Sequence, residues 1–307
     1  MNILNSLSKS LLCYLSPGFR KQIVRAALPT FETNLDGITF RPAFDTEDYT
    51  NCFRLLHDVY VGAGFSNPSR IPLRIVPHHS DPKSRVFLGS LTDNSGETVP
   101  IYTASLFPDH EQGLPMDIGF KREVDVLRNQ GHNLVEVGCL ASHPLYRKGN
   151  KNIPMLGNRL IWWYAAKILQ ADDLLITVHP KYLKIYEDIL LFERIGWISS
   201  YSYVNNNPAV ALRLNLKTMA QKYKKAYAQK PTKKNLYHFF FEAEPTCIDL
   251  SLEKGKQGVE RYYGLDMINR VLAAYSQTTE AQTAVSECPL TLVKKASLPK
   301  VDLGYIG

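Results

Sequence analysis

Residues 134–144, LVEVGCLASHP, decide the fold, because they combine an apolar strand pattern with two residues that seldom occur inside a buried strand. The run from Leu134 to Ala141 is short, mostly apolar and rich in valine, which is typical of a strand covered on both faces. Glu136 and Gly138 are the exceptions. The stretch therefore predicts a buried strand that also has functional residues.

Glu136 is the candidate general base. Burial of a carboxylate in an apolar strand disfavours its charged form and raises its pKa toward neutrality. Perturbed carboxylates of this kind are concentrated at functional sites. The alternative is a structural glutamate held by an arginine or by backbone amides.

Gly138 is the second candidate for a functional role in this strand. A glycine in a strand interior often marks a bulge or a close approach of another backbone. A crowded packing position is the alternative.

Toward the N-terminus, the pattern predicts an opening strand over 38–44 and a helix that starts at Asp45, Thr46 and Glu47. A long loop over 62–82 follows, because Gly, Pro, Ser and His are frequent there. Residues 85–92 and 98–107 predict two strands joined by a turn at 93–96, and residues 121–130 predict a short polar helix.

Toward the C-terminus, the pattern predicts a helix over 154–170, a strand over 174–179, a helix over 181–192 and a last strand over 208–216. The predicted hairpin is antiparallel, so the sheet is mixed and not doubly wound. We therefore expect an α+β fold with a mixed, mostly antiparallel sheet flanked by helices. A further helix is predicted over 257–274, and a poorly ordered tail from Ser276 onward.

The charge of the chain is uneven. The formal net charge is +7, and seven lysines with no acidic residue lie between Lys217 and Lys234. A solvated helix face, an acidic protein partner and a membrane surface all remain open as explanations. No nucleic-acid-reading motif accompanies the lysines, so we do not expect nucleic acid binding.

The cysteines and the N-terminus indicate the cellular compartment. The cysteines are odd in number and never spaced as CxxC, so we expect a reducing, cytoplasmic location and no metal site. No apolar run reaches 18 residues, which excludes a spanning helix. The N-terminal leucines at helical spacing predict a helix packed on the main domain, or else one resting on the inner membrane surface; they are Leu4, Leu7, Leu11 and Leu15.

Four segments together resemble one enzyme family. They are LLHDVYVGAGF (55–65), FPDHEQGLPMD (107–117), LVEVGCLASHP (134–144) and VHPKYLKIYEDILLFERIG (178–196). Over Ile38 to Leu216 the chain resembles the long-chain N-acyl amino acid synthases, which are related to the acyl-homoserine lactone autoinducer synthases. The sequence departs from the family pattern at Leu56-His57, where an Arg-Tyr pair is usual, and at Gly138-Cys139, where Ser-Arg is usual.

The resemblance implies a GNAT acyltransferase fold over 36–216, with an N-terminal helical extension (1–35), a basic helical extension (217–275) and a disordered tail (276–307). It implies transfer of a long-chain fatty acyl group from acyl carrier protein or acyl-coenzyme A to the amine of an amino acid, with no permanently bound cofactor. An acyl-homoserine lactone synthase and a non-catalytic acyl- or carrier-protein-binding module are the alternatives.

The resemblance also implies site residues. Tyr186 occupies the position of a general acid for the departing thiolate, although a core aromatic is equally compatible with its helix. The donor and substrate are expected to contact residues of the central strand, of the first helix and loop, and of the strand end: Val137, Cys139, Leu140, Tyr60, Phe65 and His179. Candidate liners for the acyl chain also include Phe53, Trp162 and Trp163, and candidate binders of the acceptor carboxylate are Arg41, Arg54, Arg74 and Arg85.

The segment after the central strand departs from the pattern for coenzyme A. GNAT enzymes that use coenzyme A normally have Arg/Gln-x-x-Gly-x-Gly/Ala, whose backbone amides bind the pyrophosphate at a helix N-terminus. Residues 147–152 are RKGNKN, with one glycine displaced and the other missing. We expect an acyl carrier protein, which is strongly acidic, to contact Arg147, Lys148 and Lys151 here, together with Arg159.

Overall fold

The computed structural model describes residues 16–147, 152–251 and 263–277. These residues form one seven-stranded sheet in the order β1-β2-β3-β4-β5-β7-β6. Every neighbouring pair is antiparallel except β4 with β5. The strands are β1 Ile38–Pro42, β2 Arg85–Thr92, β3 Thr98–Pro108, β4 Leu134–Ser142, β5 Asp173–Val178, β6 Glu193–Tyr201 and β7 Asn207–Asn215. The expected mixed α+β sheet is therefore confirmed.

Helices cover both faces of this sheet. They are α1 Pro17–Ala26, α2 Thr46–Gly62, α3 Asp117–Asn129, α4 Pro144–Arg147, α5 Ile153–Trp163, α6 Leu216–Tyr227 and α7 Gly264–Ser276. The main core packs α5 and α6 against one face. Residues of α2, α3 and α7 form smaller apolar clusters on the other face.

Side-chain hydrogen bonds to nearby backbone groups explain the predicted start of α2 and the predicted turn between β2 and β3. The Asp45 carboxylate accepts a hydrogen bond from the backbone N–H of Asp48 at 2.9 Å and caps α2. The Asp93 carboxylate accepts from the N–H groups of Ser95 and Glu97 at 2.8 and 3.0 Å, and Gly96 supplies the positive φ of the turn. The hairpin between β2 and β3 thus lies where the sequence predicts it.

Strand β6, Glu193–Tyr201, corrects the sequence prediction, which had no strand in this segment. It is an edge strand with mostly exposed or half-buried residues and two irregularities in its pairing with β7. Neither face is fully buried, so the alternation of apolar and polar residues is lost. The helix predicted over 181–192 is also shorter, reduced to a 3₁₀ turn, Pro180–Tyr182, and a π-helical turn, Ile185–Ile189.

The lysine-rich segment begins with helix α6. Its apolar stripe, Met219, Tyr223 and Tyr227, is buried in the main core. Lys217 lies outside and pairs with Asp172 at 2.6 Å. A solvated helix face therefore explains this part of the charge run, and the segment shares its core with the sheet.

The N-terminal helix α1 is held against the rest of the chain by basic side chains. Arg25 donates to the carbonyl of Asp188 at 2.9 Å, and its guanidinium lies 5.4 Å from the ring centre of Tyr227. Lys21 lies 3.7 Å from the Asp188 carboxylate. The leucines predicted to precede this helix, and the predicted tail beyond residue 277, lie outside the described residues. Among the described helices, none has the length and apolarity needed to cross a bilayer.

Candidate functional site

Glu136 lies in the middle of the sheet and is almost completely buried, with 3% of its surface exposed. Strand alternation directs Val135 and Val137 into the main core. One Glu136 oxygen accepts a hydrogen bond from the backbone N–H of Met116 at 2.8 Å. Burial, and secondarily the charges of Asp117 and Asp109, raise the pKa of Glu136 to about 8, against the opposing effect of the Met116 N–H. The carboxyl is thus poised to exchange a proton near neutral pH.

Strand β4 separates from β5 one residue after Glu136. The parallel pairing runs from Leu134 opposite Asp173 to Val137 opposite Ile176 and stops there. Strand β4 nevertheless continues to Ser142 and β5 to Val178. The backbone of β4 therefore has no β5 partner beyond Val137, and a gap opens in the sheet.

A bulge coincides with this gap. On the β3 side, Gly138 lies opposite Ser105 and Ala141 opposite Thr103, so Cys139 and Leu140 together face one β3 residue. Cys139 takes a left-handed conformation with φ of 52°. The bulge falls on the two residues after Gly138, and such an extra residue bends the strand and redirects its backbone.

Gly138 itself is a position of close approach. A Cβ atom there would lie 2.9 Å from the ring of Phe107, which is below any normal carbon–carbon contact. The glycine thus lets an aromatic ring pack against the strand just before the bulge. The sequence left open whether Gly138 marks a bulge or a crowded packing position. The structure shows both: close packing at Gly138 and a bulge at the next two residues.

Three predicted binding residues meet beside the gap. The ring centres of Tyr60, near the end of α2, and Phe65 lie 5.8 Å apart, and the ring centre of Phe65 lies 6.0 Å from that of His179 at the end of β5. His179 Nδ1 accepts the backbone N–H of Lys181 at 3.1 Å, so this ring also caps a turn. The end of α2 and the end of β5 are thereby brought together.

Several buried side-chain hydroxyls have no hydrogen-bond partner within the described residues. They include the hydroxyl of Thr177, which follows the last β5 residue paired with β4, and the hydroxyls of Ser142 and Tyr102, which lie opposite each other on β4 and β3. The hydroxyl of Tyr203, in the β6–β7 connection, is another. Tyr102 packs in the main core, whereas Tyr203 packs against the apolar clusters on the other face of the sheet, so these hydroxyls are separate unpaired groups.

His79, Ser105 and Cys139 form a group that the sequence did not reveal. His79 Nε2 lies 2.9 Å from Ser105 Oγ, and its Nδ1 accepts the backbone N–H of Val76 at 3.1 Å. Burial lowers the pKa of His79 to about 3 and raises the pKa of the Cys139 thiol to about 12. Cys139 is therefore a neutral thiol and not an activated nucleophile.

Tyr186 lies on the π-helical turn and packs edge-on against Phe192, with ring centres 5.5 Å apart. It lines a small apolar cavity together with Val137 and Ile176, the last residues paired before the gap. Burial raises its pKa to about 12. The phenol is thus close to the gap but in apolar surroundings.

The remaining predicted donor contacts have three different outcomes. Leu140 is half-buried against the main core. Arg147 ends α4, its side chain is not described, and Lys148 and Lys151 lie outside the described residues. The expectation for Arg159 is wrong, because its guanidinium is buried and donates to the backbone carbonyls of Phe239 and Ala243.

Comparison with known proteins points to one family. The family model described as "FeeM: N-acyl amino acid synthase FeeM" matches residues 51–215. The solved structure of FeeM, an N-acyl amino acid synthase from uncultured soil microbes, is 24% identical, with a TM-score of 0.51, covering 60% of this chain and 93% of that chain. No curated protein matches.

Two further solved structures are more distant. The coenzyme A-dependent acyl-homoserine lactone synthase BjaI is 11% identical, with a TM-score of 0.46, covering 77% of this chain and 100% of that chain. A mutant of the spermidine N-acetyltransferase SpeG from Vibrio cholerae is 14% identical, with a TM-score of 0.39, covering 60% of this chain and 97% of that chain.

Proposed function

The chain belongs to the N-acyl amino acid synthase FeeM family and is an acyltransferase, and we propose that it joins a long fatty acyl chain to the amine of an amino acid. The acyl group arrives as a thioester. The amine nitrogen forms a bond to the carbonyl carbon, the bond between that carbon and sulfur breaks, and the thiolate leaves. A proton must also leave the nitrogen, because an ammonium has no free electron pair.

The position of Glu136 is the observation on which this proposal rests. Its carboxyl is buried beside the last paired residues of β4 and β5, and its pKa is raised to about 8. A base whose pKa lies near the working pH accepts a proton efficiently without being fully protonated. We assign to Glu136 the removal of the amine proton.

The donor thioester is assigned to the open half of β4. Val137, Gly138, Cys139 and Leu140 flank the point where pairing with β5 ends. Their backbone groups can bond to the amide-bearing pantetheine arm, and an N–H group at the bulge can polarise the thioester carbonyl. We assign Tyr60, Phe65 and His179 to the entry of the acceptor, and Tyr186 to the return of a proton to the thiolate.

An apolar path for the acyl chain starts on the opposite face of β4. The cavity beside Val137 has a volume of about 30 Å³ and is almost entirely apolar. A wider groove of about 550 Å³ lies between α5 and α6, and Trp162 and Phe240 line both spaces. A flexible fatty chain that displaces these side chains would extend from the thioester toward the groove.

The donor is proposed to be acyl carrier protein. The segment 147–152 departs from the pyrophosphate-binding pattern, so a donor that presents only phosphopantetheine fits it better than coenzyme A. Arg147, Lys148 and Lys151 supply positive charge for an acidic carrier. Turnover of acyl-carrier-protein and acyl-coenzyme A thioesters should be compared at equal concentration; a preference for the coenzyme A thioester would contradict this assignment.

Mass spectrometry of lipid extracts from cells that express the chain tests the proposed function as a whole. We expect new N-acyl amino acids, and their masses would identify both the amino acid and the acyl length. Cells that express Glu136→Gln serve as the control and should lack these lipids. Acyl lactones, or no new lipid from the unaltered chain, would contradict the proposal.

A further inference from the structure

Four arginines were predicted as candidate binders of the acceptor carboxylate, and the structure distinguishes them by the partners that each already has. Arg41 is paired with the carboxylate of Asp48, through a contact that includes a bond of 2.7 Å. Arg85 donates to the hydroxyl of Tyr164 at 3.2 Å and to nearby backbone carbonyls. Arg54 is also engaged within the chain. These three arginines already have partners in the fold.

The guanidinium of Arg74 is held differently. It donates to Ser66 Oγ at 2.6 Å and to the backbone carbonyl of Tyr203 at 2.8 Å, and its carbon lies 4.9 Å from the ring centre of Tyr60. All three partners are electrically neutral. In the described part of the chain no Asp or Glu side chain pairs with Arg74. Its Nε is buried and has no partner there either.

Arg74 is a half-buried cation that is fixed in place but not neutralised. Burying a charge costs free energy unless an opposite charge compensates it. A positioned guanidinium with free bonding capacity matches the planar geometry of a carboxylate. An anionic ligand is therefore the partner that the fold itself does not supply.

Arg74 also lies near the group that surrounds Glu136. Burial raises the pKa of Tyr60, Cys139 and Tyr203; the charge of Glu136 adds to this rise, and the charge of Arg74 opposes it. Tyr203 adds a buried hydroxyl without a partner among the described residues. Tyr60 and Tyr203, which Arg74 contacts, pack in one cluster with Cys139 of β4, so Arg74 lies close to the strand that carries Glu136.

We infer that Arg74 binds the carboxylate of the acceptor amino acid, while the amine on the same α-carbon is presented to Glu136. Ser66 and the carbonyl of Tyr203 position the guanidinium for this contact. The inference rests on the proposed function and adds to it the residue by which the enzyme distinguishes an amino acid from a simple amine.

The test compares two acceptors: the amino acid identified in the lipid extracts, and the amine that remains when its carboxylate is removed. KM and kcat for both are measured with the unaltered chain, Arg74→Gln, Arg74→Lys and Arg70→Gln. Arg70 is an exposed residue of the same loop, so its replacement removes the same charge from the surface as a matched control.

For Arg74→Gln we expect KM for the amino acid to rise by about 10- to 100-fold, the usual value of a hydrogen bond to a charged group. KM for the amine should stay unchanged, so the preference for the amino acid disappears. The KM of Arg74→Lys for the amino acid should lie between the values of the unaltered chain and Arg74→Gln. The KM values of Arg70→Gln should equal those of the unaltered chain. An equal loss with both acceptors, or a retained preference, would overturn the inference.

Ser66→Ala keeps the test decisive if Arg74→Gln does not fold, as judged by circular dichroism. Loss of the 2.6 Å contact should raise KM for the amino acid alone, by a smaller factor, and an unchanged KM would count against the inference. An unaltered chain that acylates the amine as well as the amino acid would refute the role of Arg74 but leave acyl transfer intact. An unaltered chain that acylates neither would refute the proposed function.

Discussion

The two halves of strand β4 differ in what surrounds them. Residues Val135–Val137 pair with β3 on one side and with β5 on the other, in regular register. From Gly138 to Ser142 the strand keeps only β3, and a bulge with a left-handed Cys139 interrupts even that pairing. One strand thus passes from a fully bonded interior to a free edge within a single residue.

This difference explains how the proposed base and the proposed donor site are placed next to each other. Glu136 is in the closed half, where backbone bonds on both sides fix its position and burial raises its pKa. The backbone groups proposed to bind the donor are in the open half. The closed half provides rigidity, and the open half provides unpaired hydrogen-bonding groups.

Removal of the Glu136 carboxylate should give the largest effect. We expect Glu136→Gln to lower kcat/KM by about 10²- to 10⁴-fold at pH 8, because general base help is lost. The side chain keeps its size, so circular dichroism should show a folded protein. Glu111→Gln, at an exposed acid of the adjacent loop, is the control and should retain its rate. Full activity of Glu136→Gln would exclude Glu136 as the base.

The same variant should change how stability depends on pH. The pKa of Glu136 rises from its ordinary 4.5 to about 8 on folding, so the folded state binds more protons between these values. Stability due to this group is then fully present below pH 4.5 and is lost as pH rises toward 8, by up to about 1.4 kcal/mol per pH unit.

Urea unfolding of the unaltered chain and Glu136→Gln at several pH values from 4 to 9 measures this contribution. The free energy of unfolding of the unaltered chain should decline relative to that of Glu136→Gln across this window. Two parallel curves would mean that the carboxyl is not held in a low-dielectric site.

Substitution of Gly138 should have an effect of intermediate size, on both stability and acyl transfer. In Gly138→Ala the new methyl group meets the Phe107 ring at 2.9 Å, so ring or strand must move. We expect a loss of about 1–3 kcal/mol in the free energy of unfolding, as for other overpacked sites. The acyl transfer rate should fall with it.

A glycine with open space around it is the matched control for this substitution. Gly62, in α2, has no atom within 4 Å of an added Cβ, so Gly62→Ala should be neutral or slightly stabilising. Phe107→Leu combined with Gly138→Ala should recover part of the lost stability. Equal behaviour of the two glycine variants would show that the contact with Phe107 is unimportant.

Tyr186→Phe should give the smallest effect. Thiols have an ordinary pKa of about 8.5, so a departing thiolate needs little help from an acid. We expect a fall in kcat of less than about 10-fold, with the alkaline side of the pH–rate profile unchanged below pH 10. A loss as large as that of Glu136→Gln would make protonation of the leaving group a principal part of the mechanism.

Sequence reasoning succeeded where the signal is local. The apolar context of Glu136 predicted both burial and a raised pKa, and Asp45 and Asp93 predicted the helix start and the turn because each side chain bonds to backbone groups close by. The edge strand β6 was missed because most of its residues are exposed or half-buried.

Sequence reasoning failed where distant segments meet. Arg74 and Tyr203 are joined by a hydrogen bond across 129 residues of chain, and His79 reaches Ser105 across 26. The spacing of apolar residues along the sequence carries no information about such contacts. Arg159 was predicted to contact a carrier protein because of its charge. In the structure it bonds to the carbonyls of Phe239 and Ala243, because the segment after α6 folds against α5.

The early end of the β4–β5 pairing has one more consequence. Bare strand edges usually invite foreign strands, and most proteins cover or shorten them. In this sheet the unpaired backbone groups belong to two central strands, after Val137 of β4 and after Ile176 of β5. The proposed pantetheine donor would pair with these main-chain groups as an added strand, and its recognition would then depend little on which side chains lie nearby.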